Sequence, residues 1–468
     1  MRLLHGAAAM SAQFDDPNLV SCAGLVPVMR LAEESGLSGL VAEHLTVPAP
    51  LGANTPYKIG GVVAGMVAGA DSIDDLDVLR HGGMPELFAG VRAPSTLGSF
   101  LRAFSWGNVC QLEAVGRRLL PELTARTPVL PQAEQLTYLD IDSCQRRVYG
   151  HAKQGAEFGH AKVGGYQLRL RGLNPLIAAI STPTSAPLVC GTRLRGGSAN
   201  TARGAKSFIA AQIGTARAAG ATGELLVRMD SGYYNAAAVG ACRRGGARFS
   251  VTARMDPKIR RAIADIDEHD WVGIRYPHAV WEEDEQRWIS DAEVAEITYT
   301  AFSSKRKHAV TARLIVRRVR RLAPAGQTEL TPAWRHHAVF TDSAAPMLEA
   351  EAEHRGHAII EQLFAELIDG PLAHLPSGNF AANAAWLSCT AISHNLLRAA
   401  GTLASRHHGT ARAATLRRHL ISVPARLAHH GRDRIVLHLP EHWPWYDPWD
   451  GLFEATHRHR APPGARAA

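Results

Sequence analysis

Two aspartates end apolar segments that have the composition of buried strands. Asp142 follows Tyr-Leu-Asp-Ile, and Asp230 follows Leu-Leu-Val-Arg-Met. Ligands of α/β sheets bind at the carboxyl ends of the strands, and a carboxylate placed there costs stability unless it is paired or binds a cation. Neighbouring strand ends can therefore hold both carboxylates within reach of one divalent ion.

These residue types suit magnesium chemistry. Mg²⁺ prefers oxygen ligands and keeps several waters, so few protein carboxylates suffice to hold it. Two such ions about 3.5–4 Å apart can activate a nucleophile and stabilise a leaving oxygen in phosphoryl transfer. Glu361, from a helical segment, is the best candidate for a third ligand. Asp140 lies on the same strand face as Asp142, but Asp142 is nearer the strand end and is preferred.

The residues alone leave other interpretations open. A single aspartate at a strand end is often a helix cap or a turn residue. The pair of aspartates also fits a phosphatase or a nucleotidyltransferase.

The segments around the aspartates predict an α/β domain. Strands are predicted at Leu136–Asp142, Gly165–Leu173, Pro187–Leu194, Leu225–Asp230 and Arg248–Ala253, and helices at Ala202–Ala218 and Tyr234–Arg243. Three strands, then helix, strand, helix and strand, is the order of a ribonuclease-H-like core, in which parallel crossovers follow an antiparallel meander.

The chain has 468 residues, which is too long for one ordinary core. We predict a helical N-terminal region (1–130), the first part of the α/β core (131–254), an all-β insertion (255–345), the second part of the core (346–400) and a basic, helical C-terminal region with a disordered tail (401–468). A continuous helix is predicted over residues 350–370. The segment Leu25–Leu40 has the outline of a helix-turn-helix or of an ordinary helical hairpin.

The charge favours a polyanionic partner. Lys and Arg number 51 against 43 Asp and Glu, for a net charge of +8. A basic run occupies residues 305–321, and the stretch from Pro371 to Arg432 contains no Asp or Glu, as a helical surface facing an anion would. The run is also compatible with a solvated face. We predict contacts with a nucleic-acid backbone at Lys305, Arg306, Lys307, Arg313, Arg317, Arg318, Arg320, Arg321, Arg398, Arg417 and Arg418.

Other classes of protein are disfavoured. No stretch of 18 apolar residues is present, so no membrane span is expected. The first ten residues lack the pattern of a secretory leader, and the six Cys form no Cys-x-x-Cys pair. Adjacent His pairs, such as His407-His408, do not have metal-ligand spacing on a helix. We expect a cytoplasmic protein with reduced thiols.

Several segments between about 90 and 400 resemble the DDE transposases of bacterial insertion sequences. More narrowly, they resemble the insertion-sequence four superfamily and its thirteen-eighty group. The matching segments are Ala93–Arg102, Leu139–Ser143 around the first acid, Tyr149–Leu176 as the approach to the core's second strand and that strand, Arg195–Gly204 as a Gly-Asn-rich turn, and Arg228–Tyr234 around the second acid.

The third acid of that superfamily lies in a helix patterned Tyr, two residues, Arg, three residues, Glu, six residues, Lys. The same frame here gives His354, His357, Glu361 and Ile368, so only the Glu is kept. Arg355 lies nearby and could serve part of the Arg role in holding DNA.

The resemblance implies a transposase in which Asp142, Asp230 and Glu361 bind two Mg²⁺ ions, for which Mn²⁺ can substitute. It implies cutting of double-stranded DNA at the terminal inverted repeats, attack of the freed 3′-hydroxyl on target DNA at the bacterial nucleoid, recognition of the repeats by the N-terminal region, and a homodimer that holds both ends. Two alternatives stay open: a ribonuclease-H-like nuclease, and an inactive DNA-binding remnant of a transposase.

Overall fold

The amino-terminal region is helical, as predicted. The computed structural model describes residues 11–163, 166–274, 280–283, 287–289, 292–320, 334–431 and 434–457. Its first elements are β1 (Leu19–Val20), α1 (Leu25–Glu34), α2 (Leu37–His44), α3 (Thr55–Ala68), α4 (Met84–Leu87), α5 (Pro94–Arg102) and α6 (Trp106–Arg126). Gly36, between α1 and α2, has a φ of 83°, a conformation that favours glycine. The predicted break between the two helices is therefore confirmed.

The central segment alternates strands and helices. Its elements are β2 (Leu136–Ser143), β3 (Arg146–Arg147), β4 (Glu157–Val163), β5 (Tyr166–Leu173), β6 (Leu176–Ser181), β7 (Leu188–Arg193), α7 (Ala205–Ala218), β8 (Glu224–Met229), α8 (Ala236–Arg244) and β9 (Arg248–Thr252). Each predicted strand and helix of this segment exists with bounds shifted by a few residues at most.

The remaining chain adds further strands and then helices. Its elements are α9 (Pro257–Ala264), β10 (Val272–Ile274), β11 (Val280–Glu282), β12 (Arg287–Ile289), β13 (Ala292–Ala301), β14 (Val310–Arg320), β15 (Trp334–Thr341), α10 (Met347–Arg355), α11 (Ile359–Ile368), α12 (Phe380–Ala404), α13 (Arg406–Thr410), α14 (Ala413–Leu416), β16 (Ala425–His430), β17 (Arg434–His438) and α15 (Tyr446–His457). The chain is thus a mixed α/β protein. The predicted disordered tail, from Ala461, lies outside the described residues.

One mixed sheet organises the chain. Among the described residues it has nine strands in the order β10-β13-β14-β15-β9-β8-β2-β6-β7. The central pairs β2–β8 and β8–β9 are parallel, and the other pairs are antiparallel. The register of β2 and β8 pairs Ile141 with Met229. Asp142 and Asp230 follow these residues, so the two aspartates leave the sheet at the same level.

The antiparallel neighbour of β2 was not predicted. We expected Gly165–Leu173 to be the second strand of the core, but β5 belongs to a separate sheet of order β3-β5-β4. The second strand is β6, whose sequence Leu-Ile-Ala-Ala-Ile-Ser is buried along its whole length. A strand buried on both faces lacks the alternation of polar and apolar residues by which half-exposed strands are recognised.

The expectation of an all-β insertion at 255–345 is wrong in one respect. The segment begins with α9, which Asp256 caps by accepting hydrogen bonds from the backbone N–H groups of Lys258 and Ile259. Four of its strands continue the main sheet outward from β9, and β11 and β12 form a separate pair. The predicted β content is present, but most of it extends the core sheet.

Helix α12 is a core element, although its segment was predicted to present a basic surface. It packs against α3, α5, α6 and β7, and 20 of its 25 residues are buried. The two ends of the chain also meet, because β1 pairs with β16 and α15 packs against α1. One hydrophobic cluster runs from Val20 to Leu452. The division into five parts stays a prediction.

No helix in the described part of the chain combines the length and the apolar composition needed to cross a membrane.

Asn395 of α12 protects the free edge of β7. Its side chain accepts a hydrogen bond from the N–H of Val189 at 2.7 Å and donates one to the carbonyl of the same residue at 2.8 Å. Replacing Asn395 by Leu leaves two buried backbone groups without partners, so we expect the free energy of unfolding to fall by about 2–4 kcal/mol. Urea denaturation measures the loss. Ser388→Ala is the control, because the Ser388 hydroxyl bonds only within its own helix, and equal losses in both variants would contradict this assignment.

Candidate active site

The two aspartates are held at the strand ends by local hydrogen bonds. Asp142 Oδ1 accepts the backbone N–H of Ser143 at 2.6 Å, and Asp230 Oδ1 accepts that of Gly232 at 2.9 Å. A Cβ at residue 232 would lie 2.7 Å from the Thr201 side chain and 3.0 Å from Asp230 Oδ1. Glycine therefore lets the chain turn closely behind the second acid.

Burial raises the pKa of both acids, and repulsion from Asp230 adds to the effect at Asp142. Burial, followed by the charge of Asp230, raises the pKa of Asp142 to about 7. Burial also raises the pKa of Asp230, against the hydrogen bond from Gly232. Two carboxyls that share one site in this way bind a cation well, since a cation removes the repulsion.

Glu361 lies on the rim of the site. It is exposed in the first turn of α11, and its charge is the smallest of the effects that raise the pKa of Asp142. Among the described residues, no three His, Cys, Asp or Glu side chains are gathered closely enough to hold a metal ion. The structure thus brings Asp142 and Asp230 together and leaves Glu361 near them without closing a three-ligand group.

Asp140 has a different environment. It is fully buried, and its carboxylate accepts two hydrogen bonds from Arg228, one from Nε and one from Nη2, each 2.7 Å long. His357 Nδ1 lies 2.7 Å from Asp140 Oδ1. Burial alone would raise the pKa of Asp140, but Arg228 and His357 outweigh it and hold that pKa below its ordinary value. Asp140 is therefore engaged within the protein, which supports the choice of Asp142 as the metal ligand.

Arg228 also shapes the helical segment that carries Glu361. The prediction of one continuous helix over 350–370 is wrong, because a single 3₁₀ turn at Gly356–Ala358 separates α10 from α11. Arg228 Nη1 donates to the carbonyl of Glu353 at 2.7 Å, and a Cβ at residue 356 would lie 2.7 Å from the same nitrogen. Gly356 thus admits the guanidinium, and the turn directs the next residue, His357, onto Asp140.

His357 is a site residue that sequence reasoning did not select. Its Nε2 atom is buried and has no hydrogen-bond partner among the described residues, and its charge lowers the pKa of both Asp142 and Asp230. Burial would lower the pKa of His357, but the hydrogen bond and the charge of Asp140 raise it. The signal was available, because His357 occupies the Arg position of the helix pattern around Glu361.

Two other polar residues support the site. Both His354 nitrogens are in hydrogen bonds to β9, with Nδ1 2.8 Å from Ser250 Oγ and Nε2 2.9 Å from Thr252 Oγ1. Burial lowers the pKa of His354 to about 3, so this ring is neutral and ties α10 to the sheet. Arg195 is buried near Asp142, whose charge acts on it.

Many of the basic residues predicted to contact DNA are paired within the chain. Hydrogen-bonded ion pairs join Arg313 to Glu296, Arg317 and Arg355 to Glu351, Arg318 to Glu268 and Glu293, and Arg398 to Glu366. Two of these predictions need correction, because Arg318 and Arg398 are buried. Arg318 lies between the rings of Trp271 and Trp334, and Arg398 also donates to the carbonyl of Ala411.

The other predicted DNA contacts stay predictions. Lys305, Arg306 and Lys307 are exposed at the turn between β13 and β14, and Arg418 is exposed beside Trp445. Arg417 is partly buried. The Arg320 side chain and the whole of Arg321 lie outside the described residues.

The raised pKa of Asp142 predicts how the free energy of unfolding depends on pH when no metal is bound. The unfolded carboxyl loses its proton near pH 3.8 and the folded one near 7, so the folded protein holds the extra proton between these values and loses stability as the pH rises. We expect Asp142→Asn to raise the free energy of unfolding by about 1–4 kcal/mol at pH 8, and by little near pH 4. Urea denaturation in a chelator measures the difference.

The matched control is Asp267→Asn, which replaces an exposed helix-capping aspartate by another good cap. A loss of stability in Asp142→Asn at pH 8 would contradict the repulsion between the two acids.

A comparison with family models identifies the class of protein that carries this site. The model described as "Transposase DDE domain group 1" matches residues 4–461. No curated protein matches the chain significantly. Because the family model spans nearly the whole length, the chain belongs to the family of DDE-domain transposases, group 1.

Proposed function

We propose that this protein is an insertion-sequence transposase that cuts double-stranded DNA at the terminal inverted repeats and joins the freed 3′ ends to target DNA. The observation that carries this proposal is the pair of buried aspartates with raised pKa values at the ends of the parallel strands β2 and β8, in a chain of a DDE transposase family. Membership of the insertion-sequence four superfamily and the thirteen-eighty group is part of the proposal.

We assign a ribonuclease-H-like core to strands β7-β6-β2-β8-β9. Their order and directions, two antiparallel pairs followed by two parallel ones, support this assignment. In this arrangement the acids lie at the carboxyl ends of two adjacent parallel strands, β2 and β8, which is where α/β sheets bind their ligands.

Asp142 and Asp230, with Glu361 as a third ligand, would hold two Mg²⁺ or Mn²⁺ ions. The fit is supported by the oxygen donors and by the repulsion that a cation would relieve. When bound, the ions activate the attacking oxygen and stabilise the leaving one. Glu361 is exposed on the first turn of its helix, so a change of rotamer can bring its carboxylate towards the pair.

His357 supplies positive charge beside the aspartates. Asp140 fixes the ring through Nδ1, which leaves the buried Nε2 without a hydrogen-bond partner among the described residues and available to a DNA phosphate. A fixed cation there stabilises charge that develops on the phosphoryl oxygens. The partner that we propose is duplex DNA at the bacterial nucleoid, held by a homodimer of this chain.

The aspartates provide the direct test. We expect Asp142→Asn and Asp230→Asn each to lower cleavage of end DNA by on the order of 10³-fold or more, because neither variant keeps the full charge of the pair. A gel assay with labelled end DNA and Mg²⁺ measures cleavage, and Asp267→Asn should cleave like the wild type.

The same assay separates the alternatives. Joined product from a pre-cut 3′-hydroxyl end identifies a transposase, and nicks without joining identify a nuclease. The open position of Glu361 is what an inactive remnant would also have. A wild-type protein that binds end DNA but never cuts it would support the remnant and contradict the transposase.

A second prediction concerns His357. His357→Gln removes a positive charge beside the acid pair, so we expect the affinity for Mn²⁺ in the absence of DNA to rise several-fold while cleavage falls roughly 10- to 100-fold. Calorimetric titration measures the affinity. A lower Mn²⁺ affinity would mean that Nε2 is itself a metal ligand, against the role given to it here.

A further inference from the structure

A basic groove lies between α7, α8 and the turn that joins β13 to β14. Its volume is about 780 Å³. Five cationic or titratable side chains line it, namely Lys206, Arg243, Arg244, Lys307 and His308, and no carboxylate does so among the described residues. Only Lys307 of these was predicted to contact DNA. We call this feature the basic groove.

We propose that the basic groove binds the phosphate backbone of the duplex DNA that enters the acid pair. The proposal rests on the transposase function proposed above and adds to it a DNA path with named residues.

The charges of the basic groove are available to a ligand. Lys206, Arg243, Arg244 and Lys307 are exposed, and none is within ion-pair distance of a carboxylate in the part of the chain that the structure describes. In contrast, Arg313 and Arg318 in β14 already face carboxylates. A cation that is already paired must give up its partner to bind a phosphate, whereas an exposed one releases only counterions when it does so.

The basic groove begins close to the acids. Asn235, which caps α8, lines it and is five residues from Asp230 along the chain. Five residues span at most about 18 Å. Since a DNA strand advances about 3.4 Å per nucleotide, the basic groove lies within about five nucleotides of a phosphate held at Asp230.

Aromatic packing fixes the two sides of the basic groove relative to the acid strand. The Tyr234 ring, next to Asn235, lies 5.0 Å from the Phe302 ring, which precedes the basic turn, and 6.1 Å from Phe340 in the sheet. Lys307 is thereby held opposite Arg243 and Arg244 by side chains attached to the same segment as Asp230.

The floor of the basic groove is made of residues with small side chains, which leave room for the guanidinium of Arg244. Ala236, Ala237 and Gly240 line it, and a Cβ at residue 240 would lie 2.9 Å from Arg244 Nη1. Glycine therefore lets Arg244 lie across α8. An exposed guanidinium held in this way can bind a phosphate through two N–H groups.

The test measures binding without cleavage. Fluorescence anisotropy in a chelator gives the affinity of the full chain for a labelled duplex of the element's end at several salt concentrations. For Arg243→Ala/Arg244→Ala we expect a roughly 10- to 100-fold weaker affinity and a slope of log affinity against log salt reduced by about 2. Arg260→Ala/Arg261→Ala, on exposed positions of α9, makes the same charge change and should keep the wild-type slope.

A second double variant shows whether weaker DNA binding could result from misfolding. Lys206→Ala/Lys307→Ala changes the opposite sides of the basic groove and should reduce the slope by a similar amount, with thermal unfolding unchanged. Methylphosphonates placed singly along the duplex should weaken wild-type binding within about five nucleotides of the cut and should have a smaller effect in these variants.

Three outcomes would overturn the proposal. The slopes of both groove variants could equal that of the control pair. The methylphosphonates could act only at greater distances. The variants could lose binding to an acidic polypeptide while binding DNA normally, which would assign the basic groove to a protein partner. Because binding is measured without metal, an absence of cleavage would contradict the transposase function and leave this result unaffected.

Discussion

Asp140 and Arg228 form a buried ion pair between two neighbouring parallel strands, and the geometry of the site depends on it. The strand register places the two residues side by side, and both are almost fully buried. Removing either partner would leave an uncompensated charge in the core, at a cost of several kcal/mol. The pair therefore fixes the register of β2 against β8, and the register sets Asp142 beside Asp230.

The same pair also positions His357 and the start of the helix that carries Glu361. Arg228 uses its remaining nitrogen on the carbonyl of Glu353, and Asp140 uses an oxygen on His357. Both contacts fall at the break between α10 and α11. The ion pair of Arg228 with Asp140 therefore fixes the position of this break, of the His357 ring and of the first turn of α11, which carries Glu361. The sheet centre and the distant helical segment are in this way joined by hydrogen bonds as well as by apolar packing.

The sequence predicted the local elements better than their pairing. Strand ends at Asp142 and Asp230 were predictable because apolar strand residues and a following Ser or Gly are local signals. Strand β6 was missed because burial on both faces removes alternation, and the continuous helix was predicted because nothing local shows that Arg228 approaches Gly356. The role of Asp140 depends on Arg228 and His357, which are 88 and 217 residues away. The sequence could therefore favour Asp142 by its position near the strand end, but it could not show the contacts that engage Asp140.

The charged residues show the same difference, because the sequence shows where the charges are but not which charges the fold pairs. The basic side of β14 was visible in the sequence, but its acidic partners come from Glu268, Glu293, Glu296 and Glu351 on other elements. Asp142 and Asp230 are the reverse case, because burial and, at Asp142, the charge of Asp230 outweigh the positive charge of His357 and raise the pKa of both acids. A group of charges that destabilises the free protein is retained most readily where a ligand of opposite charge binds the folded state and restores its stability. By this reasoning we propose that the acid pair and the basic groove belong to one DNA site, in which metal cations would bind the two carboxyls and DNA phosphates would bind the exposed basic side chains.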